Sequence, residues 1–259
     1  MIKPFIVSFI ISVRNENRSW QKHFTAEENY FLFVFATCNF IILFTKAASS
    51  FSLPLAVIVG EKNMTPKQIE RTKNKIAKIK QALAADKKHW GGEYHDGRGL
   101  RYFVPELYLR IDDYKGALRY FKWFDKTFPD DIGYPIFLFE WTITLFKTGH
   151  IADSEKKALQ TFFSNIYLFD KFLGNELLHL DKKEHSNWEY ASLADGLIYS
   201  KEQTNLLDFT EWISQLLTSD KFYKIANEFV DIRRQLKTEQ NGQTRKKLIT
   251  REHELLDNY

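Results

Sequence analysis

Apolar and polar residues alternate at helical spacing from residue 97 onwards. Apolar side chains recur every three or four residues on both sides of Asp112 and Asp113. Before the two aspartates they are Leu100, Phe103, Val104, Leu107, Tyr108 and Ile111, and after them they are Tyr114, Ala117, Leu118, Phe121 and Phe124. This spacing predicts two amphipathic helices joined by a tight turn. Pro129 should end the second helix, because proline has no N–H to donate within a helix.

A second pair of helices follows with the same pattern, as far as residue 173. Tyr134, Leu138, Trp141 and Leu145 repeat the apolar stripe of the first helix, and Gly149 is placed to cap it. Neither hairpin can bury its apolar face alone, so the sequence predicts that the two hairpins stack.

The first hairpin resembles the tetratricopeptide repeat. The residues that match its spacing are Tyr108, Asp113, Tyr114, Ala117, Phe124 and Pro129. In that pattern Ala117 is the small residue where the two helices touch. Two residues depart from it, because Pro105 and Asp112 stand where glycines are expected. Pro105 should kink the first helix unless the helix begins only near Tyr102.

The second hairpin matches the same repeat less closely. Gly149 takes the turn, and Ser154 and Ala158 take the close-contact positions, but Trp141 and Thr142 replace the usual leucine and glycine. The resemblance implies an all-α protein, a right-handed stack of antiparallel helical hairpins forming an αα solenoid, with extra helices at the C-terminal end. It also implies a concave groove that binds a peptide or protein partner.

Residues 1–63 differ in character from the rest of the chain. The run from Tyr30 to Thr45 carries no charge, and its 16 residues fall just below the roughly 17 to 25 that a membrane-spanning helix needs. Three interpretations stay open: a membrane anchor centred on Phe31 to Phe44, a core helix of a soluble domain, or a start codon assigned too early, with translation beginning at Met64. The corresponding locations are membrane-anchored or cytoplasmic.

A basic helix is predicted directly after Met64. Thr65 and Pro66 form an N-cap and a first helical position, and a narrow apolar seam runs through the segment from Lys67 to about His89. Its lysines are interpreted as the solvated face of a helix that packs on the first hairpin. A surface for acidic lipids or nucleic acid is the alternative, but it lacks the interleaved aromatic residues of a base-stacking surface. With 37 basic and 33 acidic residues, charge alone predicts no nucleic-acid partner.

The glycine-rich loop from His89 to Gly99 contains three residues of metal-binding type, His89, His95 and Asp96. A structural zinc site usually needs four ligands with short-spaced pairs, and no second pair is nearby. The loop also lacks the pattern of a phosphate-binding loop. We therefore predict no metal and no cofactor here, and we predict that Asp96 is a helix N-cap.

The remaining chain is predicted to be helical with one polar break at Asp181 to Asn187. The predicted helices are Asn175 to Lys183, Glu189 to Tyr199, Asn205 to Leu217 and Lys221 to Leu236, followed by a frayed helix or tail from Arg245 to Tyr259. The predicted regions are therefore 1–63, the hairpins with their leading helix at 64–180, and the C-terminal helices at 187–259. Few glycines and prolines and an aromatic share of 16% agree with a helical protein.

No arrangement of nucleophile, base or metal ligands stands out, so the sequence favours a non-catalytic scaffold that binds a peptide or protein in its groove. A membrane-tethered adaptor and an enzyme with an unrecognised site on helices are the alternatives. The single cysteine, Cys38, suits a reducing compartment. Six residues of the hairpins are predicted to line the groove: Arg101, Tyr102, Tyr108, Lys122, Tyr134 and Trp141. The alternative for the four aromatic residues is that they belong to the core.

Overall fold

The computed structural model describes residues 64–257 and 259, and all regular secondary structure in those residues is helical. The α-helices are α1 (Pro66–His89), α2 (Val104–Arg110), α3 (Tyr114–Thr127), α4 (Pro135–Lys147), α5 (Ile151–Ser164), α6 (Leu168–Leu173), α7 (Ala191–Ala194), α8 (Leu207–Thr218), α9 (Asp220–Thr238) and α10 (Gly242–Asp257). Short 3-10 turns span Leu100–Tyr102, Asn187–Glu189 and Thr204–Leu206. The prediction of an all-α protein is confirmed for this part of the chain.

Helix α1 begins and packs as predicted. The Thr65 hydroxyl accepts a hydrogen bond from the Gln68 N–H, and the Gln68 side chain accepts one from the Thr65 N–H at 2.7 Å, which forms a capping box. The buried side of the helix includes Ile76 and Leu83, and the helix packs against α2. Its lysines are exposed, so they form the solvated face of a packed helix.

Helices α2 and α3 form the first predicted hairpin. Asp112 takes the left-handed φ of +55° at the turn, the conformation for which the repeat pattern uses glycine. Asp113 then caps α3, because its Oδ1 accepts a hydrogen bond from the Gly116 N–H at 2.8 Å. Pro105 does not kink α2, since it lies in the first turn of a helix that begins only at Val104. Ala117 is fully buried, as its predicted place at the helix contact requires.

Helix α4 has more buried residues than any other helix of the described part. It packs most extensively on α5 and also contacts α2, α3, α6 and α8. Gly149 has a φ of +79° directly after it, in agreement with the predicted cap. These contacts join the two predicted hairpins. The right-handed stacking of a tetratricopeptide repeat stays a prediction.

Two predicted helices are wrong. The segment from Asn175 to Lys183 is not helical, because Gly174 ends α6 with a φ of +67° and the Asn175 N–H donates back to the Asp170 carbonyl at 2.8 Å. The segment from Glu189 to Tyr199 contains only the last residue of the 3-10 turn Asn187–Glu189 and the four-residue α7. Leu197 and Tyr199 are buried while Ile198 is exposed, which is the alternation of an extended chain.

The last three helices follow the sequence pattern more closely. Helices α8 and α9 correspond to the predicted helices from Asn205 and from Lys221. Helix α10 is regular rather than frayed, because it packs on α5 and α9 and buries Leu255. The helices on both sides of the polar break at Asp181 to Asn187 therefore pack together, as in the contact of α5 with α9.

Buried charges fasten the segment after α6 to the C-terminal helices. Lys182 Nζ lies 3.6 Å from Glu184 Oε1 and 3.7 Å from Glu189 Oε2. Arg233 Nη2 lies 3.5 Å from Glu189 Oε1 and 3.1 Å from Glu252 Oε1. Removing one partner of a buried ion pair leaves an uncompensated charge and costs about 3 to 5 kcal/mol. This cluster therefore fixes the position of residues 182–189 on α9 and α10.

The proposed membrane anchor at Phe31 to Phe44 and the interpretations of residues 1–63 lie outside the described residues. Within residues 64–257, each helix is too short or too polar to span a lipid bilayer.

The hairpin of α2 and α3 depends on the missing side chain of Gly116. A Cβ atom at this position would lie 2.6 Å from Tyr108 Cε1 and 2.4 Å from Asp113 Oδ2, distances that real Cβ contacts do not show. We expect Gly116→Ala to lower the free energy of unfolding by roughly 1 to 3 kcal/mol, although alanine is the better helix former. Urea denaturation followed by circular dichroism measures this change.

Gly242→Ala is the matched control, because a Cβ atom there meets nothing within 4 Å at the start of α10. It should leave stability unchanged or raise it slightly. Equal effects of the two substitutions would contradict the close approach of α2 and α3 at Gly116.

Candidate functional site

A cavity of about 310 Å³ opens beside the first two turns of α4. Its walls come from the loop and 3-10 turn before α2, from α2 and α4, and from residues 188–198. The lining residues are Arg98, Gly99, Tyr102, Phe103, Glu106, Tyr134, Ile136, Glu140, Trp188, Gly196 and Ile198. Its size is at the lower end for ligand pockets, and its mostly apolar lining with a few polar groups is typical of them.

Aromatic rings form one wall of this cavity. The centroid of the Tyr134 ring lies 6.0 Å from the Tyr102 ring and 6.0 Å from the Trp188 ring, so the three rings make a continuous row. At the mouth, Phe103 is 53% exposed, Trp188 44% and Ile198 54%. Large apolar side chains that converge on one opening while still exposed are typical of a binding surface.

A hydrogen bond to Asp131, which is ion-paired with Arg101, holds Tyr102 in this wall. The Tyr102 hydroxyl donates to Asp131 Oδ2 at 2.7 Å, and Arg101 Nε donates to the same oxygen at 2.8 Å. Arg101 Nη1 also pairs with Asp96 at 3.0 Å. Burial raises the pKa of Tyr102 to about 12, and the hydrogen bond to Asp131 acts in the same direction. The phenol is therefore a neutral donor, and its ring orientation is fixed.

A buried asparagine holds Trp188 on the opposite side. The Asn165 side-chain amide donates to the carbonyl of Trp188 at 2.6 Å and to that of Tyr190 at 3.0 Å. The next residue after Trp188 is Glu189, which belongs to the buried charge cluster. The backbone at Trp188 is thus anchored on both sides, while the indole ring stays partly exposed at the cavity mouth.

Glu140 is the buried carboxyl group of the cavity wall. It is 3% exposed, and its Oε1 accepts a hydrogen bond from the Tyr199 hydroxyl at 2.8 Å. Burial raises the pKa of Glu140 to about 8, although the hydrogen bond from Tyr199 acts in the opposite direction. Burial also raises the pKa of Tyr199. A carboxyl with a strongly raised pKa in a cleft is a functional-site candidate.

The structure brings two of the six predicted groove residues into this cavity, Tyr102 and Tyr134. Arg101, also predicted to line the groove, pairs with Asp96 and Asp131 of its own chain.

The other three predicted residues lie elsewhere. Tyr108 accepts a hydrogen bond from Lys80 Nζ of α1 at 2.8 Å. Trp141 stacks on Phe121 with centroids 4.7 Å apart and lies under Lys157. Lys122 is exposed on α3. These placements favour the core interpretation for Trp141.

Five lining residues were not predicted as site residues from the sequence: Glu140, Phe103, Glu106, Trp188 and Ile198. Glu140 carried a detectable signal, because it is the one charged residue between Pro135 and Phe146. Trp188 carried none, since its place at the cavity depends on the packing of residues 182–190 and not on a local pattern.

The glycine-rich loop positions the backbone before the cavity. The N–H groups of His95 and Asp96 donate to Asp86 Oδ2 at 2.8 and 3.0 Å. The Asp96 carboxylate in turn accepts the N–H groups of Leu100 and Arg101. The N-cap residue of the 3-10 turn is Gly99, so the prediction that Asp96 is a helix N-cap is wrong, although the Asp96 carboxylate accepts the N–H groups of the first two residues of that turn. In residues 64–257 no group of three or more histidine, cysteine or acidic side chains could hold a metal ion.

Glu140 makes stability depend on pH. Between the ordinary glutamate pKa of 4.5 and its folded value of about 8, only the folded state keeps the proton. The contribution of Glu140 to the free energy of unfolding is therefore fully present below pH 4.5. It decreases by roughly 1.4 kcal/mol per pH unit as the pH rises towards 8. We expect Glu140→Gln to remove this slope and to be more stable than the natural chain at pH 8. Denaturation of both chains across this range, compared pH by pH, isolates the Glu140 contribution, and parallel curves would contradict it.

No protein-family model, curated protein or solved structure matches this chain.

Proposed function

We propose that this protein is an interaction module that binds a segment of a partner protein at the aromatic cavity beside α4. The observation that carries this proposal is the convergence of Phe103, Trp188 and Ile198, all about half exposed, on the mouth of a cavity that contains a buried carboxyl. Aromatic residues in such positions supply most of the binding energy of protein interfaces.

The way in which the rings are held supports binding. Tyr102 is fixed by Asp131 and Arg101, and the backbone of Trp188 is fixed by Asn165. Because this wall is already ordered before binding, little conformational entropy of its side chains is lost when a partner docks on it. The resemblance to the tetratricopeptide repeat supports the same proposal, because that family uses stacked hairpins to bind peptides. The bound segment would lie at the cavity rather than along the predicted groove through Tyr108 and Trp141.

A test uses the purified chain and a displayed library of random short peptides. Peptides selected on the natural chain should lose affinity by about tenfold or more when Trp188→Ala or Phe103→Ala removes a rim side chain, since hot-spot anchors contribute about 2 kcal/mol or more each. Fluorescence anisotropy of the labelled peptides measures the affinity, and circular dichroism checks that each variant is folded.

Trp90→Ala is the matched control, because Trp90 is 52% exposed in the loop after α1 and is not part of the cavity lining. It should leave the affinity within about twofold, as expected for residues outside a hot spot. The proposal is wrong if the library yields no peptide, or if the Trp90 variant loses as much affinity as the rim variants.

A further inference from the structure

One carboxyl oxygen in the wall of the cavity lacks a partner. Oε1 of Glu140 is occupied by the Tyr199 hydroxyl, whereas Oε2 accepts no hydrogen bond from the described residues. Oε2 is not fully enclosed by the protein, and it therefore keeps access to the cavity that Glu140 lines. This accessible oxygen is therefore a position at which a donor from outside the chain can bind once the carboxyl is ionised.

The surroundings of that oxygen favour a positively charged donor. The rings of Tyr134 and Trp188 line the same cavity, and ring faces attract cations. The Tyr102 ring also lines it, but the Arg101 guanidinium already lies over that ring, with its Cζ 4.6 Å from the centroid. Glu106 also lines it and adds a negative charge, which is paired with Arg110. Arg98 is the one basic residue among the described residues of the lining, and its side chain is exposed to solvent.

The geometry also separates an ammonium from a guanidinium. A guanidinium binds a carboxylate best through two parallel hydrogen bonds, and one oxygen of Glu140 is already taken by Tyr199. An ammonium is a point donor that needs only one oxygen. A lysine side chain also brings an apolar stem of four carbons, which can pack along the aromatic wall while its head reaches the carboxyl.

We propose that the cavity receives the side chain of a lysine from the bound partner segment, with its ammonium donating to Oε2 of Glu140. This inference rests on the proposed function and specifies its ligand. A lysine within a peptide is favoured over a free amine, because Phe103, Trp188 and Ile198 at the mouth leave apolar surface that only a larger partner would cover.

Binding of the ammonium is coupled to loss of the Glu140 proton, which goes to solvent. The titratable and charged groups around this carboxyl are Tyr199, Tyr134 and Glu106 with its partner Arg110, and Arg98 and Tyr102 line the same cavity. Neither tyrosine ionises near neutral pH, since burial raises the pKa of Tyr134 to about 12 and raises the pKa of Tyr199 well above its ordinary value. With a Glu140 pKa of about 8, the ionised share grows about tenfold from pH 7 to pH 9, and the apparent affinity should grow with it.

The test uses three capped amino acids, the N-acetyl N-methylamides of lysine, arginine and norleucine, titrated into the full chain labelled with ¹⁵N-tryptophan. The indole signal of Trp188, assigned with Trp188→Phe, should shift with lysine at lower concentration than with arginine and should not respond to norleucine. For lysine, the affinity should rise about tenfold from pH 7 to pH 9. Glu140→Gln should lower the affinity at pH 9 about tenfold or more and remove the pH dependence.

Glu211→Gln, an exposed glutamate on α8, is the matched control and should leave the titration unchanged. Equal responses to lysine and norleucine, tighter binding of arginine, or an unaltered Glu140→Gln variant would overturn the inference. If library peptides still bind through Trp188 and Phe103 in that case, the proposed function stands without the lysine specificity. If no peptide binds either, both are wrong.

Discussion

The burial of α4 on all sides is the constraint on which the rest of the described structure depends. Ten of its positions are buried, from Pro135 to Leu145 with the exception of Trp141. A helix that is apolar all round must be covered all round, and α2, α3, α5, α6 and α8 supply the cover. The cavity lies beside the first two turns of this helix, where α2 and the segment 188–198 leave space between them.

The buried threonines of α4 form hydrogen bonds within the helix. Thr144 Oγ1 donates to the Glu140 carbonyl at 2.8 Å, and Thr142 Oγ1 donates to the Leu138 carbonyl at 2.9 Å. Ser154 of α5 donates to the Thr142 carbonyl at 2.9 Å, so its small side chain also ties the two helices together. Glu140 is different, because only one of its two oxygens is satisfied within the described chain. The unsatisfied oxygen marks the proposed binding site.

Local pattern predicted most of the helices but not the site. The positions of α1 to α5 were predicted closely from the apolar spacing, from Thr65 and Gly149 as caps, and from the prolines. Caps and periodicity act within a few residues, so a local pattern is sufficient to indicate them. The two wrong helices lie around residues 174–199, where a left-handed Gly174 and long-range contacts override a helical pattern. Tyr199 is extended because it reaches Glu140, 59 positions earlier. Trp188 and Glu140 meet one cavity through tertiary packing alone, so no short motif could indicate it.

The most direct test of the proposed site measures the protonation of the Glu140 carboxyl itself. In the full chain labelled with ¹³C-glutamate, the Glu140 side-chain carbonyl resonance can be assigned by its loss in Glu140→Gln and followed against pH. Burial in the wall of the cavity predicts a midpoint near 8. A midpoint near the ordinary 4.5 would show that the carboxyl is solvated, and that Glu140 does not form the buried wall on which the proposed site depends.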